Sequence, residues 1–320
     1  MNDQTSTDVN HVAPTSLSHL IGQRGVIDQV TVALDAAFAD NARMDHCLLV
    51  GPPGMGKSAL ANVIAAELAS GFHEVLGQSI KTPADLNGLL LGCKDKDVVH
   101  IDECHELGKD FQTALYLALD KRMVFINAKS KGSPQGIPVA DFTLLLSTTD
   151  EYCLLQPLRD RAKLSLRFQY YSEEELTKVL DFRTRALGWD VDTSMFPVIS
   201  KRSRGTPRLA LRLLQSSRRV CRSEGETRIT PTHLQRACDL EQIDALGLGP
   251  TEQKYLQIVA DGDARLNVIA SQLGLPSRTV SQVAEPFLIR VGLLTKDDQG
   301  RRQITAHGRE HLSNSSHKGE

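Results

Sequence analysis

The sequence predicts an α/β domain, then a small all-α domain and a C-terminal domain of winged-helix order. From about residue 20 to 170, short apolar runs alternate with helical patterns, which is typical of a mostly parallel sheet covered by helices. Beyond that the pattern is helical, and near the C-terminus two helices precede a short hairpin. The predicted segments are a disordered N-terminus (1–15), the α/β domain (16–170), the all-α domain (171–245), the winged helix (250–312) and a disordered tail (313–320).

Four apolar runs are the predicted core strands of the α/β domain, at 46–50, 97–102, 141–148 and 163–169. Helices are predicted at 58–70 and 106–121. The segment 122–142 has two short apolar arms around a middle rich in Gly, Ser, Pro and Lys. It predicts a β-hairpin inserted before the next core strand.

Capping signals delimit the helices of the all-α domain. Ser172 and Glu175 form a capping box, and Gly188 ends that helix. Further helices are predicted at 192–202, 206–223 and 230–241. In the last domain, predicted helices at 266–273 and 277–291 precede a two-stranded wing.

Composition excludes some classes of protein. The 320 residues hold 37 Lys and Arg against 39 Asp and Glu, a net charge of -2, so a nucleic-acid partner would need a local basic surface. The six cysteines form no C-x-x-C pair and are expected to be reduced thiols. The sequence contains neither a signal core nor an apolar run of membrane length, so we expect a soluble cytoplasmic protein.

The segment GPPGMGKS, from Gly51 to Ser58, fits the pattern G-x-x-x-x-G-K-[ST] between an apolar strand and a helix. Glycines let backbone N–H groups turn towards phosphate oxygens, and the helix N-terminus adds positive potential. Lys57 is expected to reach the terminal phosphates, and the Ser58 hydroxyl to bind Mg²⁺. The pattern therefore predicts ATP and Mg²⁺ as ligands.

Two carboxylates, Asp102 and Glu103, end the next apolar run. At a strand's carboxyl end, Asp102 is expected to hold Mg²⁺ through water, and Glu103 to orient or deprotonate the attacking water. The strand that follows ends in Ser147, Thr148 and Thr149, whose hydroxyls suit contact with the γ-phosphate or that water.

Arginines at two positions of the chain are candidates for contacts with the nucleotide. Arg159 and Arg161 form a close pair, and an arginine that stabilises transition-state charge can contribute about 10³–10⁵-fold in rate. A salt-bridge cluster with Asp160 is the alternative, and the residues alone leave both interpretations open. Arg208 opens a helix of the all-α domain and is a candidate to fold back onto the nucleotide.

The predicted wing carries Lys296, Arg301 and Arg302, which suit contacts with phosphate groups. Asp297 and Asp298 lie in the same loop and fit a protein-binding winged helix instead. The wing therefore allows both kinds of partner.

The chain resembles the RuvB family, AAA+ motors that drive branch migration of Holliday junctions. Seven segments carry the resemblance: IGQ (21–23), DHCLLVGPPGMGKSALAN (45–62), VHIDECHEL (99–107), FTLLLSTT (142–149), PLRDR (157–161), RGTPRLALRLL (204–214) and EPFLIRVGLL (285–294). The resemblance implies a P-loop AAA+ domain with an all-α lid and a C-terminal winged helix. It also implies ATP-driven DNA translocation by a homo-oligomer, expected to be a hexamer.

Residue roles follow from the resemblance. Asp102 and Glu103 would be the Walker B pair and Thr148 sensor 1, and Arg161 would be the finger reaching the next subunit's ATP, with Arg159 as the fallback. Lys296 and Arg301 would contact DNA, and the hairpin 122–142 would bind the junction-recognition partner RuvA. The residues implied at the nucleotide are Gly54, Met55, Gly56, Lys57, Ser58, Ala59, Asp120, Lys121, Arg122, Tyr171 and Arg208.

The chain departs from the family pattern at several positions. Ala13 replaces an arginine beside the adenine, and Ala162-Lys163 replaces the usual Phe-Gly. Gln135 stands at one of two apolar positions of the hairpin, where Ile137 is retained. The altered hairpin, together with Asp297 and Asp298 of the wing, favours an alternative hypothesis, a nucleotide-gated AAA+ scaffold that binds ATP and a protein partner without moving DNA.

Overall fold

The computed structural model describes residues 8–9, 12–126, 135–262 and 265–316. The chain divides into two compact units. The first contains Asn10–Val179 with Thr206–Arg208, and the second contains Leu180–Gly205 and Leu209–Glu320 together with residues 1–9. None of the helices in the described ranges has the length and apolar character that a membrane crossing needs.

A five-stranded parallel sheet forms the centre of the first unit, in the order β2–β3–β6–β1–β7. The strands β4 and β5 form a separate antiparallel pair. The strand bounds are β1 (Cys47–Val50), β2 (Phe72–Leu76), β3 (Val98–Asp102), β4 (Met123–Ile126), β5 (Gln135–Pro138), β6 (Thr143–Thr148) and β7 (Leu164–Arg167).

Helices cover both faces of this sheet. On one face Ile101 and Leu146 pack against Leu86 and Leu115. On the other face Leu49 and Leu145 pack with side chains of the first two helices. Sheets covered on both faces need continuous apolar strands, which is why β1, β3 and β6 were visible in the sequence. The helices are α1 (Arg24–Ala39), α2 (Lys57–Glu67), α3 (Pro83–Leu91), α4 (Lys109–Lys121) and α5 (Gln156–Arg159), followed by α6 (Glu173–Leu187), which runs into the second unit.

Three elements of the first unit were missing from the sequence-based prediction: β2, α1 and α3. The strand β2 lies at the sheet edge and is only partly buried, so its sequence FHEVL contains no apolar run. The helix α3 starts with a capping box, in which Thr82 accepts a hydrogen bond from the Asp85 N–H. The sequence carries that signal as Thr82 three residues before Asp85.

The predicted hairpin is formed by β4 and β5, which pair from Met123 with Pro138 to Ile126 with Gln135. Its predicted Gly/Ser/Pro/Lys middle, 127–134, lies outside the described residues. Met123, Phe125 and Ile126 of β4 are exposed. The pair of strands therefore presents apolar side chains to its surroundings.

The second unit contains the lid and the winged helix. The lid helices after α6 are α7 (Phe196–Arg202), α8 (Pro207–Ser223), whose first turn belongs to the first unit, and α9 (Pro231–Leu240). The winged helix comprises α10 (Pro250–Ala260), α11 (Leu266–Leu273), α12 (Ser277–Thr279), a π-helical turn (Val280–Ala284), α13 (Glu285–Arg290), β8 (Leu294–Lys296), β9 (Arg302–Ile304) and α14 (Ala306–Ser316).

Both predicted disordered ends contain ordered residues. The helix α14 includes 313–316, and the His311 ring lies 2.8 Å from the Asp244 carboxylate. Near the N-terminus Val9 is buried, and its N–H donates to the Gln215 side chain at 3.0 Å. A single buried residue inside a polar stretch leaves no periodic signal, so this ordered residue was not predicted. Residues 1–7, 10–11 and 317–320 lie outside the described ranges.

A buried carboxylate, Glu285, lies at the centre of the winged helix and is 1% exposed. It accepts hydrogen bonds from the Tyr255 hydroxyl at 2.8 Å and from Arg302 Nε at 2.6 Å. Lys296 Nζ lies 2.9 Å from its other oxygen. Burial alone would raise the pKa of Glu285, but the hydrogen bonds from Arg302, Lys296 and Tyr255 lower it below its ordinary value.

We predict that Glu285→Gln lowers the free energy of unfolding by about 3 kcal/mol, because losing one partner of a buried ion pair leaves the other uncompensated. The lowered pKa of Glu285 means that its ionised form stabilises the fold above about pH 4.3, the pKa of an unfolded glutamate. This contribution is lost as the pH falls through the lowered folded value. Urea unfolding of the full chain between pH 3 and 7 measures both effects. The control is Glu310→Gln on exposed α14, and equal stability of the two variants would contradict the assignment.

Candidate nucleotide site and DNA-binding wing

The loop Gly51–Ser58 joins β1 to α2, and its glycines adopt conformations that other residues rarely reach. Gly54 has φ +78° and Gly56, the N-cap of α2, has φ +98°. A Cβ on Gly54 would lie 2.8 Å from the Arg208 Cβ. Within the described part of the chain, no side chain caps α2, so its first N–H groups remain available to an anion. The loop fits a phosphate group.

Lys57 lies beneath this loop and is buried. Its ammonium group donates hydrogen bonds to the carbonyls of Gly51, at 2.7 Å, and Pro52, at 3.0 Å. Burial lowers the pKa of Lys57, and the nearby carboxylates of Glu103 and Asp102 partly oppose that effect. The lysine is therefore a buried cation between the loop and the acidic pair.

Ser58, the second residue of α2, is joined to the end of β3. Its hydroxyl donates to Asp102 Oδ2 at 3.0 Å, and Asp102 Oδ1 accepts the Glu103 N–H at 3.0 Å. A hydroxyl and a carboxylate oxygen at hydrogen-bond distance are the hard oxygen donors that Mg²⁺ prefers. The two residues predicted as metal ligands are thus brought together, and they fit this ion.

Glu103 combines two features of a strained functional residue. Its φ of +47° is left-handed, a conformation that costs a non-glycine residue about 1 kcal/mol. The side chain is 39% exposed, yet its Oε2 atom is buried and forms no hydrogen bond to any described residue. Since a buried carboxylate oxygen normally has a partner, this atom is suited to bind a water molecule or a proton.

His105 links this carboxylate to the end of β6. Its Nδ1 lies 3.3 Å from Glu103 Oε2 and 3.1 Å from the Thr148 hydroxyl. Thr148 is fully buried, and its hydroxyl accepts the Asp150 N–H at 2.9 Å. With its proton on Nδ1, His105 can donate towards both the Thr148 hydroxyl and Glu103 Oε2. Thr148 therefore reaches Glu103 through His105, whereas Thr149 is exposed. Sequence reasoning missed His105, because a single histidine two residues after an acidic pair forms no motif.

Arg161 is held by the end of α4. Its guanidinium donates two hydrogen bonds to the Asp120 carboxylate, one of them from Nε at 2.7 Å, and lies over the Tyr116 ring at 5.0 Å. The hydrogen bond from Arg161 lowers the pKa of Asp120. The partner of Arg161 is thus Asp120, whereas Asp160 was the partner expected in the salt-bridge interpretation. The Asp160 carboxylate instead accepts a hydrogen bond from the Gln156 side chain.

The other arginine of the pair, Arg159, lies over the Tyr152 ring at 5.6 Å and donates to the Gln156 side chain. Its Nε is buried without a partner among the described residues. Next to Asp120, the Lys121 ammonium lies 5.4 Å from the Phe125 ring centroid, and Arg122 forms an ion pair with Asp141 at 2.9 Å.

Two residues from beyond β7 reach the glycine loop within the first unit. The Tyr171 hydroxyl donates to the Met55 carbonyl at 3.3 Å, and burial raises its pKa to about 12. Arg208 packs its side chain against Gly54. Met55 itself is fully buried, and Ala59 lies in the first turn of α2. The predicted nucleotide residues Gly54 to Ala59, Tyr171 and Arg208 therefore form one continuous site.

Fewer of the wing's cations are available to a partner than its sequence suggests. Lys296 forms an ion pair with Glu285 and is 39% exposed, and Arg302 is bound to the same carboxylate. Arg301 is exposed at the tip. Asp297 accepts the backbone N–H groups of Gln299 and Arg301, so it shapes the turn. Arg301 and the exposed part of Lys296 are the cationic surface that the wing presents.

These features define a P-loop ATPase of AAA+ type with a lid and a winged helix. Family models match in the same order: the Holliday junction DNA helicase RuvB P-loop domain over residues 12–168, the RuvB AAA lid domain over 171–244, and the RuvB C-terminal winged helix domain over 245–313. The chain belongs to the RuvB family.

Curated relatives and solved structures agree with this assignment. The Holliday junction branch migration complex subunit RuvB of Rickettsia africae is 34% identical over 307 residues, which cover 94% of this chain and 90% of the relative. The subunit of the same name from Myxococcus xanthus is 36% identical over 294 residues, 90% of this chain and 86% of the relative. The structure of the Thermotoga maritima RuvB Holliday junction branch migration motor superposes with a TM-score of 0.81 at 32% identity, covering 94% of this chain and 97% of that one.

We predict that His105→Ala lowers the rate of ATP hydrolysis at least about tenfold and leaves nucleotide binding unchanged. A correctly placed general base, here Glu103, contributes about 10²–10⁴-fold to the rate. Without His105, the Glu103 carboxylate is free to turn away from the attacking water. Steady-state kcat and the Kd of a fluorescent ATP analogue separate the two effects. His73→Ala is the matched control, because His73 contacts Asp97 at 2.8 Å, away from the acidic pair. A wild-type kcat in His105→Ala would show that the histidine does not position Glu103.

Proposed function

We propose that this chain is an ATP-driven motor that moves duplex DNA at Holliday junctions, hydrolysing ATP with Mg²⁺ at the boundaries between subunits. The observation that carries the proposal is the arrangement of Lys57, Ser58, Asp102 and Glu103 at one edge of the sheet. It is joined in one chain to a lid and a winged helix of the RuvB family.

Each residue of the site has its own role in the proposed hydrolysis. The N–H groups of the loop and Lys57 bind the phosphates, while Ser58 and Asp102 hold Mg²⁺. When bound, Mg²⁺ neutralises charge that develops on the phosphate oxygens. Glu103 orients the attacking water through Oε2, which forms no hydrogen bond to a described residue, and accepts its proton. His105 and Thr148 keep that carboxylate in place.

Arg161 completes the site of a neighbouring subunit in this proposal. Its guanidinium lies near the surface, already oriented by Asp120, so little side-chain entropy is lost when it meets a phosphate. A contribution from another subunit requires a homo-oligomer, and the family pattern makes a hexamer the proposed form. The relatives are named subunits of a complex, which agrees with assembly.

The antiparallel pair β4–β5 is proposed to bind a junction-recognition protein of the RuvA type. Three side chains of β4 are exposed and apolar: Met123, Phe125 and Ile126. Such clusters usually mark contacts with other proteins. Ile137 on β5 packs inward against the core and Gln135 is exposed, so β4 provides most of the apolar surface. A protein that acts on Holliday junction DNA is expected in the cytoplasm, and that is the location we propose.

A second candidate, the nucleotide-gated scaffold, is favoured by the wing. Glu285 binds two of its three cations, and two adjacent aspartates, Asp297 and Asp298, lie in the turn. A wing with few available cations suits a protein partner better than DNA. In this alternative the chain hydrolyses or binds ATP, and DNA changes neither process.

We predict that DNA stimulates ATP hydrolysis by this chain. At low salt, where phosphate contacts are strongest, a four-way DNA junction should raise the ATPase rate of the purified chain. Glu103→Gln should abolish hydrolysis with and without the junction while ATP binding persists, because an amide cannot accept the proton. Hydrolysis that ignores DNA, with no duplex binding, favours the scaffold.

Substitution of each arginine in turn identifies the arginine finger. Arg161→Ala should lower kcat by about 10³-fold with ATP binding retained, and Arg159→Ala by much less. Mixing Arg161→Ala subunits with Lys57→Ala subunits should restore part of the activity, because each supplies what the other lacks. A mixture as inactive as its components would contradict action between subunits, and a larger loss in Arg159→Ala would exchange the two roles.

A further inference from the structure

Arg204 lies between the lid and the winged helix, at a turn after α7 where its φ is +54°. Its side chain is 15% exposed and points into the start of the winged-helix domain. Nη1 donates to Glu252 on α10 at 2.6 Å, and Nε donates to the Gly247 carbonyl at 2.8 Å. The guanidinium also lies 4.7 Å from the centroid of the Phe287 ring on α13. One side chain thus binds the linker and two helices of the winged helix.

The backbone of Arg204 is bound from the other side. Arg290, in the last turn of α13, donates from Nη2 to the Arg204 carbonyl at 2.6 Å and lies over the same Phe287 ring at 5.3 Å. Both the side chain and the main chain of Arg204 are therefore held by the winged helix, and all of these residues belong to the second unit.

The geometry of the linker is adapted to this contact. Gly247 has φ +79°, and a Cβ there would lie 1.9 Å from the carbonyl oxygen of Arg202. Any other residue would push the linker away from α7. The Arg204–Glu252 pair is also largely shielded, with the Glu252 side chain 13% exposed. Such a pair is screened much less than one at the surface.

The chain connects this contact to the nucleotide site over a very short distance. Arg204 and Arg208 are separated by three residues, and Thr206–Arg208 belongs to the first unit, where Arg208 packs against Gly54. The proline ring fixes the φ of Pro207, so Gly205 is the one glycine in the segment between Arg204 and Arg208. A movement of Arg208 that follows the nucleotide would therefore reach Arg204 directly.

We propose that Arg204 is a positioning residue that transmits nucleotide-dependent movement of Thr206–Arg208 to the winged-helix domain. It contacts neither the nucleotide loop nor the acidic pair in the contacts described above, so it acts through the chain. The proposal rests on the proposed function, in which the winged helix holds the DNA that ATP hydrolysis moves. A purely structural contact is the competing explanation, and it predicts lost stability without any change in the response to nucleotide.

The test is hydrogen–deuterium exchange of the full chain with Mg²⁺, in the presence and absence of the slowly hydrolysed analogue ATPγS. In the wild type, the analogue should change the protection of peptides from the loop 51–58 and also from α10 and α13. In Arg204→Ala, the change at 51–58 should persist, and the change at α10 and α13 should fall by at least about threefold. Arg204→Lys retains the charge without the fork and the stacking, so it should give an intermediate response.

Arg228→Ala is the matched control, because Arg228 is an exposed lid arginine 4.0 Å from Asp190 and should leave the response intact. Equal responses of α10 and α13 in the wild type and Arg204→Ala overturn the proposal, as does a wild type whose α10 and α13 ignore the analogue. If Arg204→Ala fails to fold, the response of α10 and α13 in Arg204→Lys is compared with that of the wild type in its place, and equal responses overturn the proposal. The exchange experiment contains no DNA. An ATPase rate that does not respond to DNA would therefore contradict the proposed function and leave the outcome of the exchange experiment unchanged.

Discussion

The hydrogen bond between Ser58 and Asp102 is the contact around which the site is organised. It joins the first turn of α2 to the end of β3 and sets the glycine loop beside the acidic pair. Parallel strands make this possible, since their carboxyl ends meet at one edge of the sheet. The buried Lys57, the strained Glu103 and the path through His105 to Thr148 all depend on that edge being fixed.

Much of this site could be predicted, because its main parts are contiguous in sequence. The loop 51–58 and the pair Asp102–Glu103 each combine a strand end with a short motif, so local pattern and chemistry agree. The fully buried strands β1, β3 and β6 were predicted for the same reason. The edge strand β2 and the terminal helix α14 were missed, because partial burial weakens the periodicity from which elements are recognised.

Contacts between distant residues could not be predicted. The pair Asp120–Arg161 joins positions 41 residues apart, and the contact of His105 with Thr148 spans 43. The attachment of Lys296 and Arg302 to Glu285 changes the expected role of the wing, since a basic segment becomes partly neutralised by a carboxylate from the helix beneath it. Such pairings are set by tertiary packing, and a single sequence contains no record of them.

Three residues of chain separate Arg208, which packs against the glycine loop, from Arg204, which binds the winged helix. We propose that this path lets ATP hydrolysis move DNA. The most direct measurement is the strand exchange of a labelled four-way junction by the purified chain, supplied with a junction-binding partner of the RuvA type. Branch migration is expected with ATP and not with ATPγS. Hydrolysis of ATP without any movement of the junction would contradict this proposal.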